Sequence, residues 1–147
     1  MPQRETPSFE TTLAIRDACL CLATQRAARA LARRFDDAFR PVGLTSGQFS
    51  LLISLNRPNP PSISSVASLL AMDRTTLTAN LKPLERRGLV EVTVDPKDRR
   101  GRLLTLTADG LELLSRAVPI WRATHGEVEA PVAESLDLLR KGLTTLS

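Results

Sequence analysis

Residues 72–107 read MDRTTLTANLKPLERRGLVEVTVDPKDRRGRLLTLT, and this stretch decides the fold. Asp73 is a strong N-cap for a helix that runs to Arg87 and stops at Gly88, a residue suited to the helix C-terminus. At about 100° per residue, Leu77, Leu81 and Leu84 fall on one stripe and face the core. Pro83 sits inside the helix and is expected to bend it, because proline lacks an N–H and crowds the preceding turn. Leu89 to Val94 alternates and carries valine and threonine, as a strand does. Asp95 to Gly101 is a polar, mainly basic turn, and Arg102 to Thr107 alternates again with Leu104 and Leu106 on one face. The two strands form a β-hairpin with a charged tip.

The flanking sequence completes the motif. Ser64 caps a short helix with Val66, Leu69 and Leu70 facing in, and Ala71-Met72 connects it tightly to Asp73. Two helices joined by a tight turn and followed by a basic hairpin make a winged helix-turn-helix. Upstream, Thr45 and Gln48 form a capping box for a helix that buries Phe49, Leu52 and Leu55. The proline-rich run Arg57 to Pro61 closes that helix. A long helix covers about 13–40, with Leu20, Ala23, Ala27, Leu31, Phe35, Ala38 and Phe39 on one side and Arg26, Arg29 and Arg33 on the other. Pro41 and Gly43 end it. Downstream, Thr107 caps a helix carrying Leu111, Leu114, Val118 and Trp121, kinked at Pro119, and a last helix spans about 131–146. The fold class is therefore mainly α with a small β-hairpin wing.

The 147 residues suit one domain over 1–147, with a winged-helix DNA-binding lobe at about 45–107. The helices at about 13–40 and 108–146 exceed what such a lobe needs, and pairing with a second copy gives them a partner. A homodimer is the expectation. Apolar residues make up 42% of the chain, enough for a packed core. The absence of a roughly 20-residue apolar run argues against a membrane protein. The first ten residues lack the apolar core of a signal peptide, so a cytoplasmic protein is expected. A metal-spaced His/Cys cluster, a Gly-rich phosphate loop and a nucleophile elbow are all missing. With one histidine and no tyrosine, few acid–base groups remain. The expectation is a protein that is not an enzyme and carries no cofactor or metal.

Charge is localised. Residues 74–102 hold eight basic and four acidic residues, while the rest of the chain balances, so the whole excess of +4 lies in the helix and wing. That is the footprint of a polyanion site, and double-stranded DNA is the expected partner. On the outer face of the helix, Thr75, Thr76, Thr78 and Ala79 are small enough for the backbone to approach base edges, and threonine can bond either base type. Lys82 and Arg86 suit phosphates, which fix register without reading sequence, and Arg74, near the helix N-terminus, is a further DNA-binding candidate. In the wing, Lys97, Arg99, Arg100 and Arg102 suit the negative potential of a narrow minor groove. Asp98 is expected to pair with a nearby arginine and hold the loop's shape.

These residues resemble the multiple antibiotic resistance regulator (MarR) family. The resemblance is carried by Leu44-Thr45-x-x-Gln48-Phe49, Met72-Asp73-Arg74-Thr75-Thr76-Leu77-Thr78, and Leu81-Lys82-x-Leu84-Glu85-Arg86-Arg87-Gly88-Leu89-Val90. Asp95-Pro96-x-Asp98-x-Arg100 and Leu104-Thr105-Leu106-Thr107-x-x-Gly110 complete it, so that it covers about 15–145. It implies a dimer with intertwined terminal helices, a recognition helix at 73–87 and a wing arginine at Arg100 steadied by Asp98. It also implies a pseudopalindromic operator, repression in most members, and release by a small ligand or by oxidation.

Two signals stay open. Leu20-Cys21-Leu22-Ala23 resembles the first helix of organic hydroperoxide resistance regulators, whose cysteine is oxidised, and Cys21 lies near a helix start. That branch uses tyrosines, which this chain lacks, and buried packing is the competing reading of Cys21. Cys19 lies about 200° away if both cysteines share one helix, which opposes a bond between them. The other signal is an unknown small-molecule effector. Its pocket is expected to be aliphatic, because only Phe9, Phe35, Phe39, Phe49 and Trp121 are aromatic. A third reading is a winged helix that binds protein and not DNA. The arginine-rich wing opposes it.

Overall fold

The computed structural model describes residues 6–147. The described residues form two compact units, divided between Arg34 and Phe35. In the first, helix α1 (Phe9–Ala18) is capped by Ser8, whose side chain accepts from the Thr11 amide at 3.1 Å. Helix α2 (Leu20–Phe39) follows after a one-residue break. The single helix expected from about 13 to 40 is thus two, starting four residues earlier. Cys19 is the break, with extended dihedrals (φ −72°, ψ 109°). Its amide closes α1 on the Ile15 carbonyl at 2.9 Å, and its own carbonyl opens α2 by accepting from Ala23 at 3.1 Å. The thiol sulfur accepts from the Leu22 amide at 3.4 Å, so Cys19 satisfies a donor of α2 as an N-cap residue does.

The second unit holds the winged helix. After α2, a 3₁₀ turn (Arg40–Val42) ends at Gly43 with φ +67°. Helix α3 (Ser46–Leu55) starts at the expected capping box, with both Thr45–Gln48 bonds at 3.1 Å. Helix α4 (Ile63–Leu69) is capped by Ser62 and not Ser64. This start lets Ile63, Val66 and Ala67 share the buried side, with Leu70 partly covered, and turns Leu69 outward at 61% exposure. Helix α5 (Arg74–Arg86) begins at Asp73, buries Leu77, Leu81 and Leu84, and continues through Pro83. It ends in a paired 6→1 and 5→2 arrangement: Leu89 N to Leu84 O at 3.0 Å and Gly88 N to Glu85 O at 2.9 Å, with Gly88 at φ +70°.

Strands β1 (Val90–Asp95) and β2 (Asp98–Leu106) pair antiparallel, from Val90 with Leu106 to Val94 with Arg102. Asp95 then pairs with Asp98, so the tip is the two-residue turn Pro96-Lys97, and Arg99 to Gly101 form the irregularity. The expected loop over Asp95–Gly101 is mostly strand, because β2 starts at Asp98. The Leu104 amide donates to the Pro61 carbonyl at 2.9 Å, tying the hairpin to the segment before α4.

Helix α6 (Ala108–Glu129) is capped by Thr107 and runs through Pro119. The expected last helix is shorter, because a 3₁₀ segment (Ala130–Ser135) begins with Pro131 near its start and precedes α7 (Leu136–Leu146). Among the described residues the buried apolar core runs from Phe39 to Ala117. Residues of α1 and α7 stay at least partly exposed, including Phe9, Ile15, Leu138 and Leu146.

Candidate nucleic-acid interface

The stripe that buries Leu77, Leu81 and Leu84 leaves the other side of α5 to solvent. Arg74, Thr75, Thr78, Ala79 and Lys82 line one shallow depression there. Lys82 and Arg86 continue the basic end, joined by Glu85, an acid that the sequence reading did not place on this face. The spacing of three between Lys82 and Glu85 was the available signal. Thr76 has a different task. Its amide donates to Asp73 Oδ1 at 2.8 Å and its hydroxyl to Oδ2 at 2.7 Å. These two bonds hold the Asp73 carboxyl below the usual carboxylate range. The Asp73 charge is thereby committed to the helix start, where the free amides would otherwise need a partner.

At the wing, Asp98 Oδ1 accepts from the Arg100 backbone amide at 3.0 Å. The expected Asp98–arginine pairing is made through the main chain and fixes where the Arg100 side chain leaves the strand. Asp95 does the same for the Lys97 amide at 2.9 Å. Arg102 turns its guanidinium onto the carbonyls of Arg99 (3.2 Å) and Gly101 (3.1 Å). Lys97, Arg99 and Arg100 are exposed, and Arg102 is half-buried. Gly101 is tight, since a Cβ there would lie 3.3 Å from the Asp98 carbonyl. One residue missed from sequence is Arg87, which donates to the Gly43 carbonyl at 2.9 Å and ties the end of α5 to the turn after α2.

Of the two free thiols, Cys21 is exposed and Cys19 half-exposed. Gln25 Nε2 donates to Cys21 Sγ at 3.0 Å. Among the described residues no group of His, Cys, Asp and Glu could hold a metal. No described helix is long and apolar enough to cross a membrane.

A hollow of about 430 Å³ opens between the end of α2, α3 and α6. Phe35, Phe39, Phe49 and Trp121 line it with Ile53 and Val118, and Ser46, Ser50 and Arg122 add polarity. The aliphatic pocket expected from composition is thus not what this hollow offers, because the fold gathers scarce aromatics from three separate helices. Phe39 stacks on Phe49 at 4.7 Å, and Trp121 stacks on His125 at 4.5 Å.

Comparison with known proteins matches this geometry. The MarR family profile matches residues 44–101, from the start of α3 into the wing. The crystal structure of the Mycobacterium tuberculosis regulator MosR in complex with DNA is 37% identical, covers 87% of this chain and 98% of that chain, and superposes with a TM-score of 0.73. The chain belongs to the MarR family. Two further relatives of this MarR regulator are informative. The organic hydroperoxide resistance transcriptional regulator of Bacillus subtilis is 28% identical over 127 residues, 86% of each chain. The transcriptional activatory protein BadR of Rhodopseudomonas palustris is 40% identical over 90 residues, 58% of this chain. That match spans about half, 51%, of BadR's own length. The MarR protein described here is thus a winged-helix, DNA-binding transcription regulator, and its relatives are regulators and not enzymes.

Proposed function

We propose that this MarR regulator represses transcription by binding a pseudopalindromic operator as a homodimer, and that a small ligand releases it. In this reading α5 enters the major groove with Thr75, Thr78 and Ala79 at base edges, and Arg74, Lys82 and Arg86 on phosphates. Thr76 serves the Asp73 cap and contributes through its position. Lys97, Arg99 and Arg100 reach the minor groove, with Asp98 and Arg102 shaping the tip. The observation that carries the proposal is the outer face of α5, which is small and polar at its start, basic at its end and followed by an exposed arginine tip. The exposed leucines of α7 (Leu138, Leu139, Leu143 and Leu146) support a dimer made by the terminal helices at about 13–40 and 108–146, with the lobe at about 45–107 as the reading unit.

The test is selection of genomic fragments followed by binding titrations against salt. An enriched pseudopalindrome, bound less tightly by about 10³-fold or more between 50 and 200 mM salt, is the expected result. Affinity that is flat with salt would favour a protein-binding winged helix. A reporter behind the selected operator reads the sign of regulation.

Oxidative release is a second reading, favoured by one observation. Cys21 is exposed, so a hydroperoxide can reach its sulfur. A hydroperoxide would oxidise the Cys21 sulfur to a sulfenic acid with loss of an alcohol. Hydroperoxide that releases wild type and Cys21→Ser alike from DNA removes this reading.

A further inference from the structure

We propose that Arg87 is a positioning residue for DNA reading: it touches no phosphate, pins the C-terminal end of α5, and so sets how tightly the operator is held relative to other DNA. The proposal rests on the reading of α5 as the helix that enters the major groove.

The cations of α5 divide into two kinds. Four basic residues lie from Arg74 to Arg87. Among the described residues, Arg74, Lys82 and Arg86 are exposed and make no side-chain hydrogen bond or ion pair, so their charged ends are available to phosphate. Arg87 is exposed too, but its guanidinium is committed to the protein. Nη1 donates to the Gly43 carbonyl at 2.9 Å, and Nη2 lies 3.4 Å from the point a Gly43 Cβ would occupy. The receiving turn is itself fixed. Gly43 has φ +67°, its amide returns to the Arg40 carbonyl at 3.0 Å, and the Leu44 amide returns to that of Phe39, a fully buried residue, at 3.4 Å.

The end of α5 needs such a tie more than its start does. Leu77, Leu81 and Leu84 hold the helix on the lobe by burial, which has no direction and leaves roll and slide open. The start has directional bonds: the Asp73 cap, and the Met72 amide on the Ala67 carbonyl at 2.9 Å. Towards the end, Pro83 has no N–H for the Ala79 carbonyl, so the last turn is joined by one bond fewer. Lys82 and Arg86 stand on either side of that proline. The Arg87–Gly43 bond fixes the helix beyond it. Base edges are met only at the right roll and depth, whereas attraction to phosphate tolerates error. Without the bond a smaller fraction of the protein holds the reading orientation, and operator affinity falls by that fraction. Non-specific binding, which needs no register, does not.

The test titrates the full chain by anisotropy onto two duplexes of one length, the operator recovered by genomic selection and a scrambled sequence, over a series of salt concentrations. Arg87→Met should weaken operator binding roughly tenfold, the size of one hydrogen bond to a charged group, and leave the scrambled duplex and both salt slopes as in wild type. Arg87→Lys, which keeps the charge and a donor, should recover part of the loss. Lys82→Gln is the reference for a phosphate contact: it should weaken both duplexes and lower the slope by about one. Arg87→Met that behaves like Lys82→Gln would make Arg87 a phosphate ligand and overturn the proposal. So would operator binding equal to wild type, or an equal fall on both duplexes at unchanged slope, which is the mark of lost folded protein. Lys82→Gln without effect on either duplex would refute α5 as the DNA-reading helix, and the role of Arg87 with it.

Discussion

Gly110→Ala should destabilise this protein by about 1–5 kcal/mol, although it replaces a helix-disfavouring residue with the best helix former. Gly110 lies in the first turn of α6, and a Cβ built on it would lie 2.2 Å from the Leu89 carbonyl oxygen. Ordinary C···O contacts need about 1 Å more than that, so the helix start or the strand must move. The obstacle is backbone and cannot rotate away. Leu89 O already accepts from the Thr107 amide at 3.1 Å, and the Thr107 hydroxyl donates to Gly88 O at 2.6 Å. Overpacking of this kind costs about 1–3 kcal/mol, and each strained hydrogen bond adds about 0.5–1.5. The propensity gain from Gly to Ala offsets at most about 1 kcal/mol. The net loss is about 1–5 kcal/mol, or a melting temperature lowered by about 3–20 °C at this chain length. Urea unfolding at one fixed protein concentration measures it, since dimerisation would couple stability to concentration. Gly47→Ala in α3 is the control, because its nearest neighbour would be 4.0 Å away. If Gly110→Ala were as stable as wild type to within about 0.5 kcal/mol, the close seating of α6 on Leu89 would be refuted.

Other outcomes follow from single residues. Arg100→Ala should weaken operator binding by about 1–3 kcal/mol and reduce the salt slope by about one, and an unchanged slope in a folded variant would remove Arg100 from the DNA contacts. Ala71 holds φ +50° in the turn before α5. Ala71→Gly should therefore raise stability by about 0.5–1 kcal/mol, the relief of left-handed strain less the entropy cost, as read by urea midpoint. Asp73 has its carboxyl lowered by the Thr76 bonds. Its stabilising contribution is thus full above the ordinary carboxylate pKa of about 3.9 and is lost as pH falls through the lower folded value. Wild type and Asp73→Asn, compared by melting from pH 7 to 2, should converge at acid pH. A gap independent of pH would show that the charge of Asp73 does not matter to the cap.

The sequence made legible those features that depend on near neighbours. Thr45 with Gln48, Asp73 with Thr76 and Thr107 with Gly110 are contacts at a spacing of three, and each helix starts where such a pair sits. The stripe Leu77, Leu81 and Leu84 is equally local, because helical period alone determines it. Misreadings arose where two local signals competed. Ser62 and Ser64 are both good caps, and only the burial of Ile63 and Val66 on one face selects Ser62. Likewise, periodicity across Cys19 gives no warning that its backbone turns extended, since Ile15 and Ala18 before the break and Leu22 after it keep an apolar spacing of three and four. Contacts far apart in the chain left the weakest trace. The hollow draws on Phe35, Phe49 and Trp121, which share no spacing, and Arg87 meets Gly43 across 44 residues.

The wing shows how an acid can serve a basic site. Asp95 and Asp98 contribute two negative charges at the tip that would meet phosphate, which on charge counting alone is a defect. Their oxygens accept from the amides of Lys97 and Arg100, one at each side of the two-residue turn. Each bond removes an unpaired backbone donor that the irregular ladder at Val94 and Asp95 would otherwise leave open. The arginine side chains then project from a backbone already fixed, so that less conformational freedom is lost when they meet DNA. Replacing Asp98 with Ala should accordingly weaken operator binding although it makes the tip more positive. A variant that bound more tightly would mean that net charge, and not the presentation of Arg100, governs the wing.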